Sequence, residues 1–295
     1  MASEPERATD LARLGAYTMS GSLRYAQDLA DDGRKPNGRD EVRAAIDRCR
    51  EDLAARPPRT LPLCAAATDG GSAPAASWIE PYPDDLFPES LGPAARYAPR
   101  DVVDLAFVAA LQQVPVRERG LVALHDVLGV DGGPEAELEE ARAALAAARA
   151  GTAEPVQGRP AEGEAALTMR FIFSCESADR DGLRALLTPG SVLQSVPDGA
   201  VHRGPDAVAT ELLRVEGGGG APGLLRLLPR RANGRLAFGV YRRDGRGEPF
   251  RAHALSVLTL DGPHVAGVVR FADPSLFAEF DLLPELAAQG ERPSR

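Results

Sequence analysis

The sequence predicts a multidomain chain: two small all-α domains, then an α+β domain in which a curved sheet wraps over helices and encloses an internal pocket. Three observations carry this. Apolar residues recur at helical spacing between residues 9 and 150. Stretches rich in proline, glycine and alanine interrupt them near residues 65–98 and 152–163. From Glu164 the pattern changes to helices followed by a run of β-like segments, the grammar of an α+β fold.

Taken in order, residues 9–31 place Leu11, Leu14, Tyr17, Leu23 and Leu29 on a helical stripe, broken at Ser20-Gly21-Ser22. GRKPNGRD is a loop. Residues 40–56 form an amphipathic helix that Asp40 can cap, with Val42, Ala45, Ile46, Cys49 and Leu53 as its apolar stripe; RPPRTLP stops it. These make the first helical domain, residues 1–64. Residues 65–98 are a linker strap with one aromatic-apolar anchor, WIEPYPDDLF. The second helical domain, 99–151, holds helices over 100–114, 115–128 and 135–150. A second linker covers 152–163. In the third domain, 164–286, helices at 164–178 and 179–187, a strand at 191–196 and a helix at 205–216 precede four strands: LLRLLPRR, RLAFGVYRR, FRAHALSVLTL and HVAGVVRFA. Turns are expected at Asn233-Gly234, Asp244-Gly245 and Asp261-Gly262, and residues 287–295 are a tail.

Composition narrows the function classes. A net charge of −9 over 295 residues argues against nucleic acid as the main partner, because phosphate binding needs a basic face. Lys35 is the single lysine, so basic character rests on arginine. Cys49, Cys64 and Cys175 are scattered, and their spacing makes neither a disulfide framework nor a zinc site. The N-terminus has no secretory pattern, and no apolar run reaches membrane-spanning length, which makes the cytoplasm the expected location and a membrane partner unexpected. A nucleophile elbow, P-loop or dinucleotide fingerprint is not found, so neither cofactor nor metal is expected.

Several ordered motifs resemble a known family. AYTMSGSLRYAQDLAD resembles the opening of the core-binding region 2 of extracytoplasmic-function sigma factors, WIEPYP their linker motif, and DVVDLAFVAALQQVPVRERGLVALHDVLG the first part of region 4. VEGGGG, PRRANGRLAFGVYRRDGRGEPFRAHALSVLTLDG and FADPSLFAEFDLLPEL resemble the C-terminal SnoaL-like (ketosteroid isomerase-like) domain that some members carry. The resemblance implies two sigma-like helical domains and a SnoaL-like cone-shaped barrel.

Departures from the family pattern matter as much. After Asp28-Leu29 most of the long region-2 helix is missing, and the next helix has no aromatic and interleaves acids, so a stacking platform for melted bases is not visible. A helix-turn-helix needs a scaffold helix, a turn and a recognition helix. Between Gly129 and Arg142 lie about a dozen residues, too few for these, including Asp131, Glu135, Glu137, Glu139 and Glu140 without an arginine. The acids read as a solvated helix N-terminus, favoured by the dipole. Sequence-specific DNA binding is not expected, while a region-2 remnant leaves contact with RNA polymerase open.

Attention therefore moves to the pocket. Ketosteroid isomerases of this fold use a Tyr on the first helix, a carboxylate base on the first strand and a protonated Asp on a late strand. The resemblance sets these positions at Phe171, Ser195 and near Ser256, none of them acidic. The expected lining is Phe171, Phe173, Leu193, Ser195, Leu225, Phe238, Ala254, Ser256 and Phe271. Candidate catalytic residues are Ser195, Ser256, His253 and Tyr241; candidate substrate-binding residues are Phe171, Phe173, Leu193, Gln194, His202, Arg226, Phe238 and Phe271. Each has a plainer reading. His253 is a packed strand histidine, His202 a turn residue on the surface, and Arg226 and Tyr241 lie on the sheet surface. Ser195 and Ser256 are small residues making room, Asp273 caps the last helix, His264 sits in a hairpin turn, and His125 and Asp126 are a solvated pair.

The function this implies is a repurposed sigma-like protein acting as a cofactor-independent cyclase or isomerase. It would hold an apolar, polyketide-like compound in a reactive shape and donate hydrogen bonds to it. The alternatives are a sigma factor with a ligand-sensing or autoregulatory C-terminal domain, and a non-catalytic small-molecule-binding module. The sequence does not separate enzyme from binding module.

Overall fold

The computed structural model describes residues 4–31, 38–62, 78–88, 91, 95–97, 99–130, 135–151, 163–214 and 221–288. VEGGGG, the acid Asp131, Cys64, most of GRKPNGRD, the 287–295 tail apart from its first two residues, and the greater part of both linkers lie outside them. The chain divides into two compact units, the first drawn from residues 1–67 and 76–154 and the second from 68–75 and 155–295.

In the first unit, helix α1 (Glu4–Ser20) and helix α2 (Leu23–Ala30) part at the expected break. Gly21 there takes φ +66°, a backbone region that glycine enters without strain, and Ser22 Oγ accepts from the Tyr25 amide to start α2. Helix α3 (Arg39–Leu53) buries the full predicted stripe of Val42, Ala45, Ile46, Cys49 and Leu53. Its cap is Gly38, not Asp40: Asp40 lies inside the first turn, where its charge favours the helix dipole but closes no amide.

The helix predicted over 100–114 is two. Helix α4 (Pro99–Val102) ends, and Asp104 Oδ1 accepts from the Ala106 and Phe107 amides to begin helix α5 (Leu105–Gln113). Helix α6 (Val116–Val122) runs on into one π turn at Ala123–Val127, closed by the Leu128 amide on the Ala123 carbonyl at 2.9 Å. Helix α7 (Glu135–Gly151) buries Leu138, Ala141 and Leu145 against α5 and α6.

Helix α1 packs on α3, α5 and α6, across the boundary the sequence draws between two helical domains. Gly15 permits the approach, since a Cβ there would stand 2.6 Å from Ile46 Cδ1 and 2.7 Å from Leu128 Cδ1. Buried Arg119 of α6 ties the same elements together. It donates to the carbonyls of Met19, Gln112 and Val114, at the C-terminal ends of α1 and α5 where helix carbonyls lack partners. Burial pulls its guanidinium down to about 10.

WIEPYP is more than a surface strap. Trp78, Ile79 and Tyr82 are buried, and the Tyr17 ring packs tilted against Tyr82 with centroids 4.7 Å apart while its hydroxyl donates to the Glu80 carbonyl. Glu80 accepts from Ser22 Oγ and pairs with Arg59. The motif thereby closes the polar groups exposed by the α1–α2 break.

The second unit opens with helices α8 (Glu164–Glu176) and α9 (Arg180–Leu186), strands β1 (Leu187–Val196) and β2 (Val201–Arg203), and helix α10 (Pro205–Leu212). Strands β3 (Leu225–Ala232), β4 (Arg235–Arg242), β5 (Phe250–Asp261) and β6 (His264–Phe271) follow, then helix α11 (Leu276–Glu279) and the two-residue β7 (Glu285–Leu286). The sheet order is β2-β1-β6-β5-β4-β3, with β7 beside β5; β1 and β6 run parallel and the other pairs antiparallel. One sheet face packs on α8 and α10 through Phe171, Leu193, Phe238, Leu258 and Val268, each fully buried and stabilising by about 1.5–3 kcal/mol. The helices-then-strands expectation is met, with β2 added by a three-residue hairpin partner too short to read from alternation.

Candidate functional site

Strand register lines up four residues across the helix-covered face of the second unit. Phe238 of β4 is directly opposite Ser256 of β5, Ser256 opposite Arg270 of β6, and Arg270 beside Ser195 of β1. Alternation then puts Leu193 and Ser195 on one face of β1 and Gln194 on the other. Phe238 stacks on Phe171 of α8 with ring centroids 5.2 Å apart, which fixes the row against the helix layer. The structure thus brings together Ser195, Ser256, Phe171, Leu193 and Phe238 of the predicted site, and adds Arg270 between the two serines.

Arg270 is held by α10. It donates from Nη1 to Glu211 Oε1 and from Nη2 to the Glu211 carbonyl, both at 3.0 Å. Arg214 Nε sits 2.8 Å and His202 Nε2 3.7 Å from the other carboxylate oxygen, Oε2. Burial lowers the Arg270 pKa, against the opposing charge of Glu211. The Cys175 thiol, wholly buried on α8, is pushed up to about 12 by that burial, with Arg270 pulling the other way. Ser256 Oγ and, midway along β1, Ser191 Oγ are buried without a hydrogen-bond partner.

Along the strand row this arrangement offers hydrogen-bond donors. Glu211 is engaged by two guanidinium groups. What the row can do is donate from Ser256 and Arg270 to a carbonyl or carboxylate oxygen in a low-dielectric setting, where such bonds are stronger than in water. Among the described residues, no cluster of His, Cys, Asp and Glu is arranged to hold a metal ion.

Other predicted residues lie elsewhere. Phe173 is 66% exposed, because two positions along a helix point nearly opposite ways and Phe171 takes the core. Phe271 alternates away from Arg270 onto the other sheet face. Tyr241 is buried, but its hydroxyl donates to the Leu283 carbonyl at 2.9 Å and its ring meets Phe277 edge-on, far from a catalytic posture. Arg226, on edge strand β3, pairs with Glu176 at 3.1 Å. His253 is the extra residue of a bulge in β5 and lines a separate cleft. His202 is a strand residue, paired with Leu193, and not a turn residue. Leu225 joins the core and Ala254 is buried opposite Val240. Asp273 accepts from the amide and hydroxyl of Ser275 just before α11, and Ser275 is the cap position. Sequence reasoning missed Arg270 and Glu211, although each interrupts an apolar stripe with a complementary charge.

In the first unit, His125 and Asp126 are buried, not solvated. Asp126 accepts from Arg142 Nε at 2.9 Å and Nη2 at 2.6 Å, which fastens α7 to the π turn. Burial lowers the His125 pKa, with Arg43 adding to the effect and Asp126 opposing it. The acids opening α7, Glu135, Glu139 and Glu140, are exposed, as a solvated helix start requires. No helix among the described residues is long and apolar enough to cross a membrane.

A scan against family models finds no match. The chain is 30% identical to the ECF RNA polymerase sigma factor SigG of Mycobacterium tuberculosis, over 95% of this chain and 82% of that protein. Its fold is similar to the crystal structure of the M. tuberculosis extracytoplasmic function sigma factor SigJ, with TM-score 0.56 and 18% identity, covering 94% of this chain and 98% of that one. An LEH-like epoxide hydrolase of M. tuberculosis matches 42% of the chain at 14% identity and TM-score 0.30, too distant to bear on chemistry. A relationship that spans both units, with the motifs of regions 2 and 4 followed by the α+β sheet, leaves one assignment: the chain belongs to the extracytoplasmic-function sigma factor family, among the members with a C-terminal SnoaL-like domain.

Proposed function

We propose that this protein acts on transcription through RNA polymerase, and that its SnoaL-like unit is a ligand-responsive module, not a proton-transfer enzyme. The observation that supports it is the Ser195–Arg270–Ser256 row: hydrogen-bond donors stand where the fold's isomerases keep carboxylates, and the nearby Glu211 is tied to Arg270 and Arg214. Kinship to a sigma factor along 95% of the chain favours the same reading. The acidic, solvated start of α7 speaks against base reading by a recognition helix, so polymerase, not promoter sequence, is the partner we infer. The ligand would be mostly apolar and carry one carbonyl or carboxylate oxygen for Ser256 and Arg270.

A second reading, the cofactor-free cyclase or isomerase of a polyketide-like compound, is favoured by one observation. Ser256 Oγ is buried and unpartnered beside Arg270, as a pair of donors awaiting a developing oxyanion would be. Co-purification with core polymerase, together with transcript and metabolite profiles of a deletion strain, separates the two. Polymerase binding with altered transcripts is expected. Absence of polymerase binding, unchanged transcripts and an accumulating biosynthetic intermediate would transfer the assignment to the enzyme.

A further inference from the structure

His253 lies in a cleft that the transcription reading does not use. Pairing between β4 and β5 steps from Val240↔Ala254 to Tyr241↔Ala252, so His253 is left over as a bulge. Bulges bend a strand, re-aim its side chains and gather beside functional sites. Directly past this one, Arg242 is paired face to face with Arg251. Like charges opposite each other on neighbouring strands are unfavourable. Arg243 follows, its guanidinium 4.5 Å over the Phe250 ring and its Nε donating to the Gly223 carbonyl at 2.6 Å, so the fork is held in place. These groups, with Asp244 and Glu248, line a cleft of about 230 Å³.

Three arginines and two acids line the cleft, in a strand region rich in arginine. Residues 221–260 contain eight arginines against two acids, in a chain of net −9. Arginines on β3 have a plain purpose, since charged residues keep an edge strand from pairing with other chains. That purpose does not cover Arg242 and Arg251, which face each other between two interior strands. Guanidinium forks match the oxygens of phosphate, and Arg243, stacked on Phe250 at the rim of the cleft, loses little freedom on binding. The acids bound the ligand's size: Asp244 is 3.0 Å from Arg242 and Glu285 3.5 Å from Arg251, so a polyanion running across the cleft would meet carboxylates.

We propose that the cleft binds the phosphate group of a small phosphomonoester, with Arg242, Arg243 and Arg251 as donors and His253 on the wall. This does not rest on the transcription reading, and its test reads binding alone. Calorimetric titration of the full chain at low salt with inorganic phosphate and with phenyl phosphate is expected to show saturable binding of both. The Arg242→Gln/Arg251→Gln double variant should bind at least tenfold more weakly, and Arg203→Gln, on β2, should bind like wild type. Should the double variant fail to fold by circular dichroism, Arg251→Lys keeps the charge, loses the fork, and should weaken binding several-fold. No saturable binding of either probe, or equal binding in the variants, overturns the proposal. So does a DNA duplex that displaces phosphate and loses affinity in the same double variant, because the ligand is then a nucleic-acid backbone.

Discussion

Each unit holds a largely enclosed arginine, Arg119 at 5% exposure and Arg270 with 12% of its side chain exposed, and the two are used differently. In the helical unit Arg119 has backbone carbonyls for partners and closes the ends of α1 and α5. In the α+β unit Arg270 has a carboxylate partner, and its neighbour Ser256 is left with an unused hydroxyl. The first arrangement is saturated and explains packing. The second leaves the Ser256 hydroxyl unmet. A buried charge alone therefore says little about function; the unmet donor beside it says more.

Three substitutions test that contrast. Arg119→Ala should cost most, about 4 kcal/mol in denaturant unfolding, because it removes charge-assisted bonds and strands several buried carbonyls at once. Arg142→Ala should follow at about 3 kcal/mol, since among the described residues it leaves Asp126, wholly buried, with only Arg96 at 3.9 Å as a cation partner. A loss below about 1 kcal/mol for either would mean that these contacts do not hold the helical unit together. Ser256→Ala should be smallest, within about 0.5 kcal/mol of wild type, because an unpartnered hydroxyl contributes no bond to lose. If it costs more than about 1.5 kcal/mol, Ser256 is a structural donor and the comparison fails.

Much of the fold was legible because periodicity follows burial. The α3 stripe, the α1–α2 break and the order of strands β3 to β6 all read directly from spacing and turn residues. Misreadings share a physical origin: a period carried past the point where it holds. His125 and Asp126 look solvated if a 3.6-residue repeat is extended through 123–127, but the π turn adds a residue and rotates both inward. Phe173 and Phe271 group with Phe171 and Phe238 on hydrophobicity, although their parity along helix and strand sends them elsewhere. Arg270 hid for the opposite reason. An arginine in an apolar strand reads as a surface residue until its partner, 59 positions away, is placed beside it.

Gly15 carries a consequence for how this sequence can vary. A glycine in the middle of a 17-residue helix costs about 1 kcal/mol relative to alanine in helix propensity. Here the better helix former is the worse choice, because its methyl would enter space held by Ile46 and Leu128. Among relatives that keep this helical packing, position 15 is expected to remain glycine while exposed positions of α1 drift. A natural variant with a larger residue there would have to shrink residue 46 or 128 in the same step, so these three positions inherit change as a set.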